Sequence, residues 1–240
     1  MTERILYQFP ISHYCEKSRW QLDYKGLAYR TRNLLPGPHR LRTQWMARIN
    51  TLPVLRDGQR VVGDSTKIAY YLEKHYPERS LIPTDAESRA RVIELEQQLD
   101  RVAVHVRRWL YGQIIDRPEV MDAMLDPYRL PSPVQKVLAP VTREGVRRLY
   151  RIEPKAVAHS GQRLEEGLEL VEETLRRGNG RYLVGERLTL ADITAAGLLA
   201  PLVSPAGTPW DIFEEGTLPA ALQKQLDDLR ERPAGQWVLA

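Results

Sequence analysis

The sequence has few of the features that would place it in a specialised class of protein. Its 240 residues include one cysteine, Cys15. This excludes an internal disulfide and a cysteine-cluster zinc site, and it favours a reducing cytoplasm. The longest apolar run, residues 193–203, is about half the ~20 residues that a membrane-spanning helix needs. The first residues lack the apolar core of a secretory signal, so none is expected.

Neither positive nor negative charge predominates in the sequence. The 35 basic residues are scattered among 31 acidic ones, which leaves a net charge of +4 without a basic stripe. Such a balance does not favour nucleic-acid binding, which depends on clustered phosphate contacts. The hydrophobic and charged fractions, 42% and 28%, are those of an ordinary globular protein. None of the five histidines has metal-ligand spacing with another, so no metal site is predicted.

The two parts of the chain differ in their predicted secondary structure. The first part alternates strand-like and helix-like segments, and Asp57-Gly58 between two apolar pairs predicts a hairpin. The predicted order is β-α-β-α-β-β-α. The rest carries helical periodicity in the segments 87–111, 156–177, 190–202 and 220–230, with a proline-punctuated stretch at 112–155 whose helix boundaries are not predicted. We therefore predict an α/β domain over residues 1–79, a linker at 80–83 and an all-helical domain over 84–240.

A strand-to-helix turn at residues 9–15 is the first candidate site. A helix start exposes unpaired N–H groups and a partial positive charge, so a thiolate is stabilised there. Ser12 could donate a hydrogen bond to such a thiolate, or it could simply cap the helix. Cys15, one turn on, would be acidified by the same field, unless it is a small buried hydrophobic residue.

Two further turns suggest a peptide-like ligand. Pro53 stands at the start of a predicted strand, where a cis bond would turn the backbone of Leu52 towards a ligand. Asp64 and Ser65 precede a helix. Asp64 has the residue type of an ordinary N-cap, but it could also bind an ammonium group while Ser65 and the helix N–H groups bind a carboxylate. An amino-acid moiety offers both charges together.

With these motifs in this order, the chain resembles the glutathione transferase family of the cytosolic type over nearly its whole length. The α/β part is similar to the family's thioredoxin-like domain and the rest to its helical domain. The segment Lys17-Ser18-Arg19 resembles the basic-x-Arg of the serine and cysteine classes, which implies that Ser12 faces the glutathione sulfur. Leu52-Pro53 and Asp64-Ser65 match the family's Val-Pro and Glu/Gln-Ser. Thr189-Leu190-Ala191-Asp192 resembles its N-capping box.

The resemblance implies an enzyme that uses glutathione as co-substrate and directs its thiolate at a small, hydrophobic electrophile. The loop before Pro53 is shorter than in the family, so His39 and Arg40 are the predicted contacts for the glycine carboxylate. The electrophile is expected near Tyr14, Trp109 or Tyr111, or else these aromatic residues pack in the core. The stretch 112–155 is predicted to be an insertion that lines or covers this second site. A homodimer is also implied.

Two other functions remain open from the sequence. Cys15 could serve a glutathione-dependent thiol-disulfide oxidoreductase, although the family's redox relatives carry the attacking cysteine where this chain has Ser12. Alternatively, the fold could act as a non-catalytic glutathione-fold binding module.

Overall fold

The computed structural model describes residues 3–211 and 218–240, so Met1 and Thr2 of the predicted first domain lie outside the described residues. The fold consists of a thioredoxin-like domain with a small mixed sheet, followed by a helical domain. The predicted fold class is therefore confirmed. No helix within the described ranges has the length and hydropathy to cross a membrane.

The first domain has the predicted order β-α-β-α-β-β-α. Its elements are β1 (Arg4–Gln8), α1 (His13–Tyr24), β2 (Arg30–Asn33), α2 (His39–Ala47), β3 (Val54–Asp57), β4 (Arg60–Gly63) and α3 (Ser65–His75). The sheet order is β2-β1-β3-β4, in which β1 and β2 are parallel and the other pairs antiparallel. The hairpin turn uses Gly58 at φ 60°, a left-handed conformation that glycine adopts without steric cost.

The second domain is helical throughout its described residues. Its helices are α4 (Ala86–Ile114), α5 (Pro118–Leu125), α6 (Ser132–Leu149), α7 (Pro154–Arg177), α8 (Leu190–Val203), α9 (Ala220–Glu231) and α10 (Pro233–Leu239). Short 3-10 turns occur at 77–79 and 126–128. The sequence patterns found α4, α7, α8 and α9 to within a few residues, but missed α10 and left α5 and α6 undefined.

Helix α8 forms the centre of the second domain. Every residue of α8 except Ala196 is buried, and its neighbours are α4, α1 and the later helices. Gly197 lies against the backbone of Lys17 on α1, where an added Cβ would come within 3.5 Å of the Lys17 Cα. This close approach brings the start of α1 against the helical domain.

The segment between the domains is packed rather than loose. Leu81 and Ile82 are buried, and the backbone N–H of Leu190 at the start of α8 donates to the carbonyl of Leu81 at 2.8 Å. Ser80 and the N–H of Leu81 both donate to the carboxylate of Glu73 on α3. The connection therefore fixes the end of α3 to the start of α8.

The predicted N-capping box is present at the start of α8. The carboxylate of Asp192 accepts from the backbone N–H of Thr189 at 2.7 Å, from the Thr189 hydroxyl at 2.6 Å and from the N–H of Leu183 at 2.7 Å. Both Thr189 and Asp192 are buried. Because water cannot replace these partners, the box stabilises the central helix.

We expect Thr189→Ala to lower the free energy of unfolding by about 1–2 kcal/mol, since it removes one buried capping bond. Urea denaturation followed by circular dichroism measures this. The slope m should stay unchanged, because the surface exposed on unfolding is the same. Thr189→Ser, which keeps the hydroxyl, should recover most of the loss. A serine variant as unstable as the alanine variant would contradict this role of the hydroxyl.

Candidate functional site

The three predicted site turns meet at one end of the sheet. Strand β1 ends at Gln8, and Tyr7 pairs with Val54, the first residue of β3. Val54 pairs in turn with Gly63, the last residue of β4. The turn after β1, the turn before β3 and the turn after β4 therefore lie side by side. These turns contain Ser12, Leu52-Pro53 and Asp64-Ser65.

Ser12 occupies the N-cap position of α1 with an extended backbone (φ −154°, ψ 117°), but its hydroxyl makes no capping hydrogen bond. Only its carbonyl serves the helix, accepting from the N–H of Glu16 at 2.8 Å. The side chain is partly exposed. The purely structural interpretation of Ser12 as a side-chain cap is therefore wrong. The hydroxyl lies beside the positive end of α1 and is not used to cap it.

Arg19 holds the turn that precedes Ser12. Its guanidinium donates to the side chain of Gln8 and to the carbonyl of Pro10, and it pairs with Glu16 one turn earlier on α1. Arginine suits this position because its donors are arranged in a planar fork. The ends of β1 and α1 are thereby fixed relative to each other.

Cys15 is fully buried among Tyr7, Leu52 and Val54. Burial raises the pKa of its thiol, although hydrogen bonds from the Ser12 side chain and the Phe9 backbone oppose this. The expectation that the helix start would acidify Cys15 is therefore wrong, because desolvation of a thiolate outweighs these hydrogen bonds. The alternative interpretation, a small buried hydrophobic residue, describes Cys15 better.

The Leu52–Pro53 peptide bond is cis, as predicted. The Pro53 carbonyl accepts from the N–H of Asp64 at 3.1 Å, which joins this turn to the start of α3. Within the described parts of the chain, neither the N–H nor the carbonyl of Leu52 bonds to another backbone group. The Leu52 backbone therefore has a donor and an acceptor to offer to a ligand at the end of the sheet.

Asp64 caps α3. Its Oδ1 accepts from the N–H groups of Thr66 and Lys67, both at 3.0 Å. The backbone of Asp64 has φ 81°, a positive value that aspartate and asparagine adopt more readily than most residues. The carboxylate is exposed, and its Oδ2 makes no hydrogen bond that the structure describes. Ser65, at the first position of α3, is buried. The capping interpretation is confirmed, and it leaves Oδ2 for a ligand.

His39, the first residue of α2, is mostly buried. Its Nδ1 accepts from the N–H of Gly37, and its ring meets Phe9 edge-on at 4.7 Å. Burial lowers the pKa of His39, so the neutral ring predominates. His39 can thus offer a hydrogen bond but not a charge. Arg40 is exposed and carries the positive charge at this turn.

A buried ionic cluster next to these turns was missed by the sequence analysis. Lys17 of α1 is fully buried and contacts Glu96 at 2.6 Å and Asp100 at 3.1 Å, both on α4. Thr66 of α3 donates to Glu96 at 2.5 Å and accepts from Lys17. The cluster joins both domains behind Asp64. The four-residue spacing of Glu96 and Asp100 within an apolar helix face was the signal that could have suggested it.

The predicted aromatic residues separate into two groups. Tyr14 donates to the backbone carbonyl of Asp100 at 3.2 Å, and Tyr111 stacks on Tyr150 at 5.8 Å. Burial raises the pKa of both Tyr14 and Tyr111. Trp109 instead packs against Gly161 of α7, within the core of the helical domain. Tyr14 therefore lies between the domains, whereas Trp109 and Tyr111 pack against the core of the helical domain.

The stretch 112–155 lies beside the turn at Ser12. The Tyr128 hydroxyl donates to the carbonyl of Leu34 at 2.9 Å, so the stretch contacts the first domain. A pocket of about 460 Å³ separates the two, lined by Pro10, Ile11, Asp122, Ala123, Asp126, Pro127, Gln135 and Pro209. The pocket includes Pro10 and Ile11, which precede Ser12 in the chain. That the stretch lines or covers a second-substrate site stays a prediction. Within the described residues, no group of three His, Cys, Asp or Glu side chains is arranged to hold a metal ion.

Comparison with known proteins identifies the family. Residues 6–80 match the model of the glutathione S-transferase N-terminal domain, and residues 154–232 match that of the glutathione S-transferase C-terminal domain. The chain belongs to the glutathione transferase family. The segment between the two matches contains α4, α5 and α6.

Individual relatives agree with this placement. Glutathione S-transferase 1 of Dianthus caryophyllus is 38% identical over 90 residues, which are 35% of this chain and 40% of that protein. The crystal structure of the β-etherase LigF from Sphingobium sp. strain SYK-6 has a TM-score of 0.62 at 24% identity and covers 98% of both chains. A glutathione S-transferase from Methylobacterium radiotolerans, in complex with glutathione sulfonate, has a TM-score of 0.59 at 20% identity, covering 99% of this chain and 95% of that one.

Proposed function

We propose that the protein binds glutathione at the end of the sheet and that Ser12 stabilises its thiolate for attack on a small electrophile. The observation that carries this proposal is the Ser12 hydroxyl, which stands at the start of α1 and does not cap it. The turns at Leu52-Pro53 and Asp64-Ser65 lie next to it in the sheet register. A tripeptide bound across the three turns would bring its sulfur to Ser12.

The energetic requirement is modest. A free thiol has a pKa of about 8.5, so a thiolate at pH 7 needs a fall of about two units, or about 2.7 kcal/mol. One hydroxyl hydrogen bond to the anion contributes about 1.5–3 kcal/mol, and a helix start about 0.3–2 kcal/mol. Ser12 and α1 together can supply this fall. The thiol proton leaves to solvent, and the sulfur then forms a bond to the electrophilic carbon.

In this proposal the other residues position the peptide. The free backbone groups of Leu52 pair with the cysteinyl backbone of glutathione, next to Pro53. Asp64 takes the γ-glutamyl ammonium through its Oδ2, while Ser65 and the N–H groups at the start of α3 take the adjoining carboxylate. Arg40 supplies the charge for the glycine carboxylate, and His39 supplies a hydrogen bond.

We expect Asp64→Asn to weaken glutathione binding about three- to tenfold, because it removes the negative charge that faces the ammonium group. Asparagine caps a helix as well as aspartate does and tolerates a positive φ, so stability should change little. Isothermal titration calorimetry with glutathione measures the first effect, and thermal unfolding measures the second.

The matched control for this prediction is Asp85→Asn. Asp85 caps α4 by accepting from the N–H of Ser88 at 2.8 Å, at the start of a different helix. This variant should bind glutathione like the parent protein. Equal glutathione affinities in Asp64→Asn and Asp85→Asn would show that Asp64 does not bind the ammonium group.

Conjugation of glutathione to 1-chloro-2,4-dinitrobenzene, followed by absorbance, tests the activity itself. The sulfur displaces chloride, which leaves with the electron pair of the C–Cl bond. Catalysis above the uncatalysed rate supports the proposal. Binding of glutathione without turnover of this or other electrophiles would instead favour a non-catalytic binding module.

The oxidoreductase alternative makes a different prediction. It requires an adduct of Cys15 after incubation with oxidised glutathione, visible by mass spectrometry, and loss of disulfide reduction in Cys15→Ser. The burial of Cys15 and its raised pKa argue against this chemistry.

The family resemblance also leads us to propose a cytoplasmic homodimer, with the α/β domain of one subunit against helices of the other. Two apolar side chains on α2 support an interface on the first domain. Leu41 and Trp45 lie one turn apart and are 81% and 84% exposed.

A further inference from the structure

Arg107 of α4 is a cation without an acidic partner in the cleft between the domains. Its guanidinium carbon lies 3.8 Å from the centre of the Tyr150 ring and 5.8 Å from that of Tyr14. None of the ion pairs in the described parts of the chain includes it, and its Nε is buried without a hydrogen-bond partner. Glu96 and Asp100, which belong to the same helix, pair with Lys17 instead.

Two other polar nitrogens close to Arg107 and Tyr14 are also left without partners. Nε2 of His13 and Nε1 of Trp210 are buried and make no hydrogen bond that the structure describes. Both residues are more than nine-tenths buried, and their rings stack at 6.3 Å. His13 directly follows Ser12 in the chain. An indole N–H and a guanidinium can only donate hydrogen bonds. The Nε of Arg107 and the Nε1 of Trp210 are therefore donors for which the described residues supply no acceptor.

Unsatisfied donors in a buried site are costly, and this cost is removed when a ligand supplies the acceptor. Arginine pairs well with carboxylates because its planar fork matches their two oxygens. The surrounding rings, Tyr14, Tyr111 and Tyr150, suit a planar aromatic group. A ligand with both features would satisfy the donors and contact the rings.

We propose that Arg107 binds a carboxylate on an aromatic electrophile and so selects the second substrate of this protein. This inference deepens the glutathione-transferase function proposed above and rests on it. Asp122 and Asp126 line the pocket at the Pro10-Ile11 turn. They repel an anion there, so the carboxylate points towards Arg107 and the remainder of the ring lies towards the sulfur.

The test compares 4-chloro-3-nitrobenzoate with 4-chloro-3-nitrobenzamide, which differ in charge at one position. In both, the glutathione sulfur bonds to the carbon that carries chlorine, chloride leaves with the bonding electrons, and the thiol proton goes to solvent. The value of kcat/KM for each compound is divided by its uncatalysed rate constant. The ratio of the two results, benzoate over benzamide, measures selectivity.

We expect this ratio to favour the benzoate in the parent protein and to fall about tenfold in Arg107→Gln, which corresponds to one charged contact. Arg107→Lys should retain part of the preference. The control is Arg101→Gln, which removes an exposed arginine from the same helix and should leave the ratio unchanged. Glutathione affinity, measured by calorimetry, should be the same in all four proteins.

Two outcomes would overturn the inference. One is an equal ratio in the parent protein and in Arg107→Gln, with the fold of the variant verified by circular dichroism. The other is a preference for the benzamide in the parent protein, which would show that Asp122 and Asp126 dominate. If the parent protein conjugates neither these compounds nor 1-chloro-2,4-dinitrobenzene, the proposed function fails. Equilibrium binding of 4-amino-3-nitrobenzoate and its amide to the parent protein and Arg107→Gln then decides the role of Arg107 separately.

Discussion

Ser12→Ala should raise the pKa of the bound glutathione thiol by about one to two units, the equivalent of one hydrogen bond to a thiolate. Below this pKa the concentration of thiolate falls tenfold for each unit of pH. We therefore expect kcat at pH 6.5 to fall about 10- to 100-fold. At pH 9.5 the thiol ionises without help, and most of the rate should return. Stability should change little, because the hydroxyl does not cap α1.

The measurement is a pH–rate profile together with ultraviolet titration of the bound thiolate. Ser12→Thr, which keeps a hydroxyl, should titrate near the parent protein. Cys15→Ala removes the buried thiol beside Ser12 but leaves the serine hydroxyl in place. An unshifted profile in Ser12→Ala would mean that the start of α1 alone stabilises the thiolate. A larger shift in Cys15→Ala than in Ser12→Ala would mean that Cys15 stabilises it.

The sequence predicted those parts of the site that depend on the local chain. Ser12, Pro53 and Asp64 stand at turns where residue type and neighbouring pattern restrict the backbone. The cap of α3 was accordingly predicted and is present. The cis bond is also present, but it was implied by the family resemblance and not by the local chain, in which a cis bond is uncommon. The order of strands and helices in the first domain followed from the same local signals, since alternation and turn residues act over a few positions.

The remaining features depend on contacts between distant parts of the chain. Lys17 and Glu96 are 79 residues apart and meet only because α1 packs against α4. The burial of Cys15 likewise comes from packing and not from its place on the helix. The sequence pattern does not define helix boundaries in the proline-rich stretch, because proline disfavours the interior of a helix. Pro118 and Pro133 instead lie in first turns, where proline is tolerated, although Pro140 lies inside α6.

Lys17→Met should lower the free energy of unfolding by about 3–5 kcal/mol, the largest effect on stability that we expect from a single change here. The substitution leaves Glu96, which is almost fully buried, as an uncompensated charge next to Thr66 and Asp100. It also removes a contact between α1 and α4, the helices on the two sides of the cleft. Thermal unfolding and urea denaturation measure the loss.

The loss of stability in Lys17→Met comes from the unpaired carboxylate of Glu96, so neutralising this carboxylate should reduce the loss. In Lys17→Met combined with Glu96→Gln, we expect at least half of the lost stability to return, because the buried charge is gone while the volume is kept. Arg91→Met breaks the exposed Arg91–Glu94 pair on the same helix and should cost less than about 1 kcal/mol. A double variant less stable than Lys17→Met would mean that the uncompensated carboxylate is not the source of the loss. In that case Glu96 would stabilise the protein through its own hydrogen bond from Thr66, and the loss in Lys17→Met would come from the missing contact between α1 and α4.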